Sequence, residues 1–183
     1  MRKLKLQTHV TVDGFAVSAD GKEFLTGIDD EGVRASENHL IDTSDTILLG
    51  RNMTEGFVTY WEAAASKPDS PEYDFAQKMV RTPKIVFSHS LKTVKGQNIR
   101  VENGPLVEAV TQLKNEPGAD ILVYGGPTFV ASLITNKLID EYHLFVNPIA
   151  VGQGRGLFPQ RTPLTLVTSV GHPRGIVVNT YTP

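Results

Sequence analysis

Ile121-Leu122-Val123-Tyr124-Gly125-Gly126-Pro127 is a short apolar run that stops at two glycines and passes straight into a helix-like segment. The run predicts a buried strand over Asp120–Tyr124 and a helix over Pro127–Asn136. Proline suits a first turn, where its missing N–H would have no partner anyway. The strand therefore offers bare main chain at its C-terminal end. Ile47-Leu48-Leu49-Gly50-Arg51 repeats the arrangement upstream. Two strand ends that deliver glycine into a helix N-terminus point to a phosphate-bearing ligand, because free N–H groups and the helix dipole both favour an anion there.

Outward from these two strands, the pattern alternates between strand and helix. Lys3–Val12 sets Leu4, Leu6 and Val10 against Lys3, Lys5 and Gln7, which is strand periodicity. Asp13-Gly14 ends it, and a polar loop is expected to run to Gly27. Asp29 or Asp30 caps a helix over Glu31–Ile41, with Val33, Leu40 and Ile41 facing inward. Strands are expected at Thr46–Leu49, Lys84–Phe87, Asn98–Val101 and Asp140–Val146, and helices at Met53–Ala65, Glu72–Val80 and Pro105–Asn115. Leu164–Val170 and Ile176–Tyr181 flank His172-Pro173-Arg174-Gly175 as a hairpin. About eight strands and four or five helices make one domain over residues 1–183: a mainly parallel sheet, helices on both faces, and an antiparallel edge added last.

Composition narrows the function. The chain has 183 residues, 40% hydrophobic, with a net charge of −2 and positive charges scattered along it. No basic footprint for nucleic acid is present. The absence of cysteine removes disulfides, thiolate metal sites and a cysteine nucleophile. No apolar stretch approaches the ~20 residues that span a membrane. A cytoplasmic protein is expected, and its histidines have no metal-ligand spacing. The apolar C-terminal strands give a homodimer a place to form.

Five segments in order carry a resemblance. They are Thr11-Val12-Asp13-Gly14; Leu48-Leu49-Gly50-Arg51 with Thr54-Glu55-Gly56-Phe57; Ile85-Val86-Phe87-Ser88; Tyr124-Gly125-Gly126; and Asn147–Gly154 with Leu157-Phe158. In this order the whole chain resembles the dihydrofolate-reductase-like superfamily. It is most similar to the reductase domain of the bacterial riboflavin-biosynthesis deaminase-reductase, in free-standing form. The resemblance implies a three-layer α/β sandwich and an NADPH-dependent reductase. Its substrate would be a small heterocyclic or ribosylamino compound, as for 5-amino-6-(5-phosphoribosylamino)uracil. No deaminase zinc motif stands in the chain, so a pathway role needs a separate deaminase.

The same resemblance implies a set of site residues. Gly50, Arg51, Met53 and Thr54 would meet the adenosine side and the pyrophosphate of NADPH. Ser88 and His89 would lie near the 2′-phosphate, and Gly125, Gly126, Pro127 and Thr128 against the pyrophosphate. Related chains join the two glycines by a cis peptide, which is expected here at a cost of about 3–4 kcal/mol. Met53 stands where the family has threonine, and His89 where it often has arginine. Asp13 is the catalytic candidate, either a proton-handling group at the nicotinamide rim or an ordinary Asp-Gly turn. Arg34, Trp61 and Arg155 are candidates for substrate binding, Trp61 with packing as its alternative. A folate reductase needs an acid near position 34. Arg34 occupies that place, and Glu31 and Glu37 lie one helical turn away. Two rivals therefore stand beside the first reading: a dihydrofolate reductase using Glu31 or Glu37, and a non-catalytic nucleotide-binding protein that keeps the fold.

Overall fold

The computed structural model describes residues 1–19 and 30–183. Its main sheet has eight strands in the order β5-β4-β3-β6-β1-β7-β10-β9. These are β1 Leu4–Thr11, β3 Ser44–Gly50, β4 Lys84–Phe87, β5 Ile99–Glu102, β6 Asp120–Gly125, β7 Glu141–Asn147, β9 Thr165–Gly171 and β10 Val177–Thr182. Every pairing from β5 to β7 is parallel, and β10 runs antiparallel to both of its neighbours. The expected parallel sheet with an antiparallel C-terminal edge is what forms.

Two further strands were not foreseen. β2, Phe15–Ser18, and β8, Gly154–Gly156, pair antiparallel as a separate ribbon. Neither segment shows alternation, because both are largely exposed or half-buried and draw their order from each other. The rest of the expected 14–27 loop falls on residues 20–29, outside the described residues, as does Asp29 as a cap.

Among the described residues five helices cover the sheet: α1 Glu31–Asp42, α2 Arg51–Ala64, α3 Tyr73–Arg81, α4 Leu106–Asn115 and α5 Pro127–Thr135. Asp30 caps α1, accepting from the N–H groups of Gly32 and Val33 at 3.0 and 3.2 Å. Val33, Leu40 and Ile41 are its buried residues, as the spacing predicted. One sheet face packs Leu4, Leu6, Leu48, Ile121 and Val123 against α4 and α5 residues such as Val110 and Leu133. The other packs Ile47, Leu49, Val86, Leu122 and Phe145 against Val33, Phe57 and Met79 of α1, α2 and α3. Each fully buried side chain of this size contributes about 1.5–3 kcal/mol.

A central strand of a parallel sheet is covered on both sides, and β1 shows the consequence. Its polar face, which holds Lys5 and Gln7, is buried as well: Gln7 is only 2% exposed and Lys5 8%. That side is roofed by α1, and most of its polar groups are paired. Lys5 Nζ lies 2.8 Å from Asp120 Oδ2, and Gln7 and His9 both reach Glu37. β9 is the opposite extreme, exposed along its length, with Leu166, Val167 and Val170 more than half open.

Candidate functional site

The C-terminal ends of β1, β3, β4 and β6 open onto two depressions that meet at Gly126. The smaller recess, about 430 Å³, is lined by Gly50, Arg51, Ser88, His89, Gly126, Thr128 and Arg155, among others. The larger cleft, about 1640 Å³, runs from Gln7, Thr8 and His9 past Glu37, Arg34 and Gly125 to the α2–α3 wall.

The smaller recess is made by two helix starts. Gly50 caps α2 and Gly126 caps α5, and neither helix has a side-chain cap or an acidic residue in its first turn. The free N–H groups of both first turns therefore lack side-chain acceptors. Gly50 must be glycine, since a Cβ there would stand 2.6 Å from Phe129 Cβ. Gly125 and Gly126 have φ of 127° and 79°, which non-glycine residues rarely adopt. This pair corrects the expected cis peptide. All described peptides are trans, and two successive positive φ angles turn the chain into α5 without one.

Side chains trim the recess. Arg51 donates from Nη1 to Ser90 Oγ at 2.8 Å, which holds the guanidinium over the rim. Ser88 Oγ accepts from the N–H groups of Ser90 and Leu91 at 3.3 and 3.0 Å, so it shapes the turn that carries His89. Arg155, expected at a substrate, lies here instead. β8 carries it across α5, where Nη1 reaches Thr128 Oγ1 at 3.4 Å. Glu102 lines the far side, held below its ordinary value by the Gly104 N–H and then by Arg100.

Two expected cofactor residues are elsewhere. Thr54 is 2% exposed and donates back to Gly50 O at 3.0 Å, so it does not replace the missing threonine. Met53 points to the larger cleft. Asp13 lines neither depression. Its carboxylate accepts from Val151 N and Gly152 N at 3.1 and 2.8 Å, clamping the first-strand turn to the glycine-rich turn. The Thr11 hydroxyl, followed by these N–H groups, holds Asp13 below its ordinary value. The Asp-Gly turn is the reading the geometry supports.

The larger cleft has a carboxylate at its floor. Glu37 Oε1 accepts from His9 Nε2 at 3.2 Å and Gln7 Nε2 at 3.3 Å. Its other oxygen makes no hydrogen bond among the described residues. Asn147 Nδ2 donates to Val10 O and Phe145 O and stands 3.3 Å from His9 Nδ1. The Glu37 carboxylate oxygen can only accept, which assigns an imidazole proton to Nε2. His9 is further fixed by stacking on Phe145, with centroids 4.9 Å apart. Tyr124 is neighbour to Gln7 across β6 and β1. Burial, then the Glu37 charge, pushes its hydroxyl well above the ordinary range, so it keeps its proton. The Gln7 amide tempers that rise without closing a hydrogen bond, which leaves the hydroxyl and Gln7 Oε1 buried without partners among the described residues. Arg34 and Trp61 both line this cleft.

A sequence profile described as the RibD C-terminal domain matches residues 2–178. The chain belongs to the RibD C-terminal domain family. The uncharacterised Bacillus subtilis (strain 168) protein YyaP is 31% identical over 186 residues, covering 98% of this chain and 94% of YyaP. Among solved structures, the Thermotoga maritima diaminohydroxyphosphoribosylaminopyrimidine deaminase/5-amino-6-(5-phosphoribosylamino)uracil reductase superposes with a TM-score of 0.69 at 13% identity. The match covers all of this chain and 56% of that one. Dihydrofolate reductase from Enterococcus faecalis, complexed with NADP(H), superposes with a TM-score of 0.61 at 14% identity, over 98% and 95% of the two chains. The fold is therefore dihydrofolate-reductase-like.

Gln7 and His9 are the residues the motif reading left out of the site, and Glu37 entered it only as one of two acids for the folate rival. The signal was a polar row, Lys5-Gln7-His9, on a strand that must be buried on both faces.

Proposed function

We propose that the protein is an NADPH-dependent reductase of a small heterocyclic or ribosylamino substrate. The observation that carries this reading is the meeting of two uncapped helix starts and Arg51 on one side of Gly126 with a fixed carboxylate on the other. The residues fit a dinucleotide. Main-chain N–H groups at Gly126, Thr128 and the start of α2 suit a pyrophosphate, and Arg51 and Arg155 suit its charge. Bound there, NADPH supplies the hydride. The chain's own work is to hold the ring that receives it. Glu37 keeps one oxygen toward the cleft, to accept an N–H from that ring or pass a proton to it. Gln7 and His9 hold the carboxylate still through its other oxygen.

Titration of NADPH, followed by its own fluorescence, tests the cofactor. Absence of binding at high micromolar concentration would sink the reading. Dihydrofolate is a second substrate reading. Glu37 favours it, since it places an acid on α1 facing the cleft, as that chemistry needs. Turnover of dihydrofolate against the ribosylaminopyrimidine phosphate separates the two, and binding with neither turnover leaves a nucleotide-binding protein. The same reading takes the protein as a homodimer joined at β9, where Leu166, Val167 and Val170 are 54%, 56% and 51% exposed. Light scattering on the purified protein tests that.

A further inference from the structure

The side of α2 that faces the larger cleft carries Met53, Gly56, Phe57, Tyr60 and Trp61. These positions are three and four apart and share one face of the helix. Gly56 is the odd member. It sits inside α2, away from both caps, where glycine is a poorer helix former than any residue but proline. Packing does not demand it, because a Cβ there would meet nothing within 4 Å. Its φ lies outside the left-handed region, so turn geometry does not demand it either. The missing side chain leaves bare helix backbone on the cleft wall. Met53 and Tyr60 bound that patch about 10 Å apart along the axis, at 1.5 Å per residue.

The wall beyond the patch is aromatic and rigid. Trp61 meets Phe57, Tyr60 and Phe75 edge to face, with centroids 6.2, 4.9 and 5.2 Å away. Tyr60 is 52% exposed, yet its hydroxyl donates to Glu72 Oε2 at 2.8 Å, which fixes the ring at the rim. Lys78, the one lysine among the residues that line the cleft, is already engaged by Asp42 and Asn38, each at 2.7 Å. A wall of this kind suits a flat apolar surface better than an anion.

We propose that the larger cleft binds a planar, largely apolar ring laid on the backbone at Gly56 and ending against Tyr60 and Trp61, in preference to a phosphorylated sugar at that wall. This rests on the assignment of the larger cleft to the substrate, and it names the substrate's class.

Trp61 is the only tryptophan, so its emission reports on this wall. Quinazolin-4-one, a planar bicycle, and ribose 5-phosphate serve as probes, with absorption corrected. Saturable quenching by quinazolin-4-one is expected in the wild-type protein, with no competition from ribose 5-phosphate. Gly56→Ala should raise the melting temperature while weakening the bicycle. Gly56→Leu, which fills the patch, should weaken it at least tenfold with NADPH affinity kept. A glycine without a binding role would give the rise in melting temperature alone. Unchanged quenching in Gly56→Leu, no saturable quenching in the wild type, or displacement by ribose 5-phosphate would each overturn the proposal. NADPH titration of the same samples keeps the two readings apart. If NADPH fails to bind while the bicycle does, the cofactor assignment falls and the ring site stands.

Discussion

The smaller recess is built from main chain and the larger cleft from side chains. Around Arg51 and Thr128 the surface consists of glycines, helix starts and tight turns, and each part comes from a continuous stretch of sequence. Around Glu37 the surface is assembled from β1, α1, α2 and β6, and no short stretch holds two of its key groups apart from Gln7 and His9. A main-chain site tolerates change in most side chains as long as its few glycines stay. A side-chain site changes its ligand with each substitution. The contrast suits a protein that keeps one kind of anion seat and selects its other ligand independently.

The sharpest way to break this contrast is Glu37→Gln, which keeps the volume and removes the charge. Turnover of whichever substrate the wild type reduces should fall by ~10²–10⁴, with NADPH affinity within about twofold of wild type. Parallel losses in NADPH oxidation and NADPH binding would show the two regions to be one. Next is Gly126→Leu. A φ of 79° costs a non-glycine residue roughly 1–2 kcal/mol, and the side chain enters the space between Gly50 and Met53. NADPH should bind about a hundredfold more weakly, read by fluorescence titration, and retained affinity would remove the glycine turn as the seat. Arg51→Ala should cost about tenfold in affinity for NADPH and NADH alike, since both carry the pyrophosphate. A loss confined to NADPH would place the guanidinium at the 2′-phosphate instead.

The smallest effect is expected at Asp13, which serves both regions only by tying turns together. Its folded carboxyl sits below the ordinary 3.8. The clamp is therefore complete above that value and is lost as pH falls through the lower folded value. Amide exchange at Val151 and Gly152 should accelerate in that acid range and be fast at neutral pH in Asp13→Ala. Slow exchange in the variant would mean that the β2–β8 ribbon holds the turn by itself.

The same contrast explains what the sequence made legible. The strand–glycine–helix units at Gly50 and Gly125-Gly126 were readable because their chemistry is local: an apolar run, a glycine, a helix start. The sheet followed from the alternation of such units. Arg155 was misplaced because β8 exists only through pairing with β2, and nothing within Gly154–Gly156 announces a strand. Thr54 was misread because a helical hydroxyl can bond its own chain four residues back. Glu37 was readable only as one of two acids on α1, and its hold by Gln7 and His9 was hidden because strand order, which makes β1 central, is a long-range fact. Asp13 held both readings open until its partners, Val151 and Gly152, were seen.

The position of β1 also bears on how the chain is made. Its neighbours are residues 120–125 and 141–147, so β1 finds neither of its partners until more than a hundred further residues have been made. Until then Leu4 and Leu6 have no strand to lie beside. The sheet must close by an insertion that spans more than a hundred residues on each side, which is the slow kind of step for a folding chain. β1 precedes both of its partner strands by more than a hundred residues, and the contact of His9 and Gln7 with Glu37 is framed only once β1 lies between them.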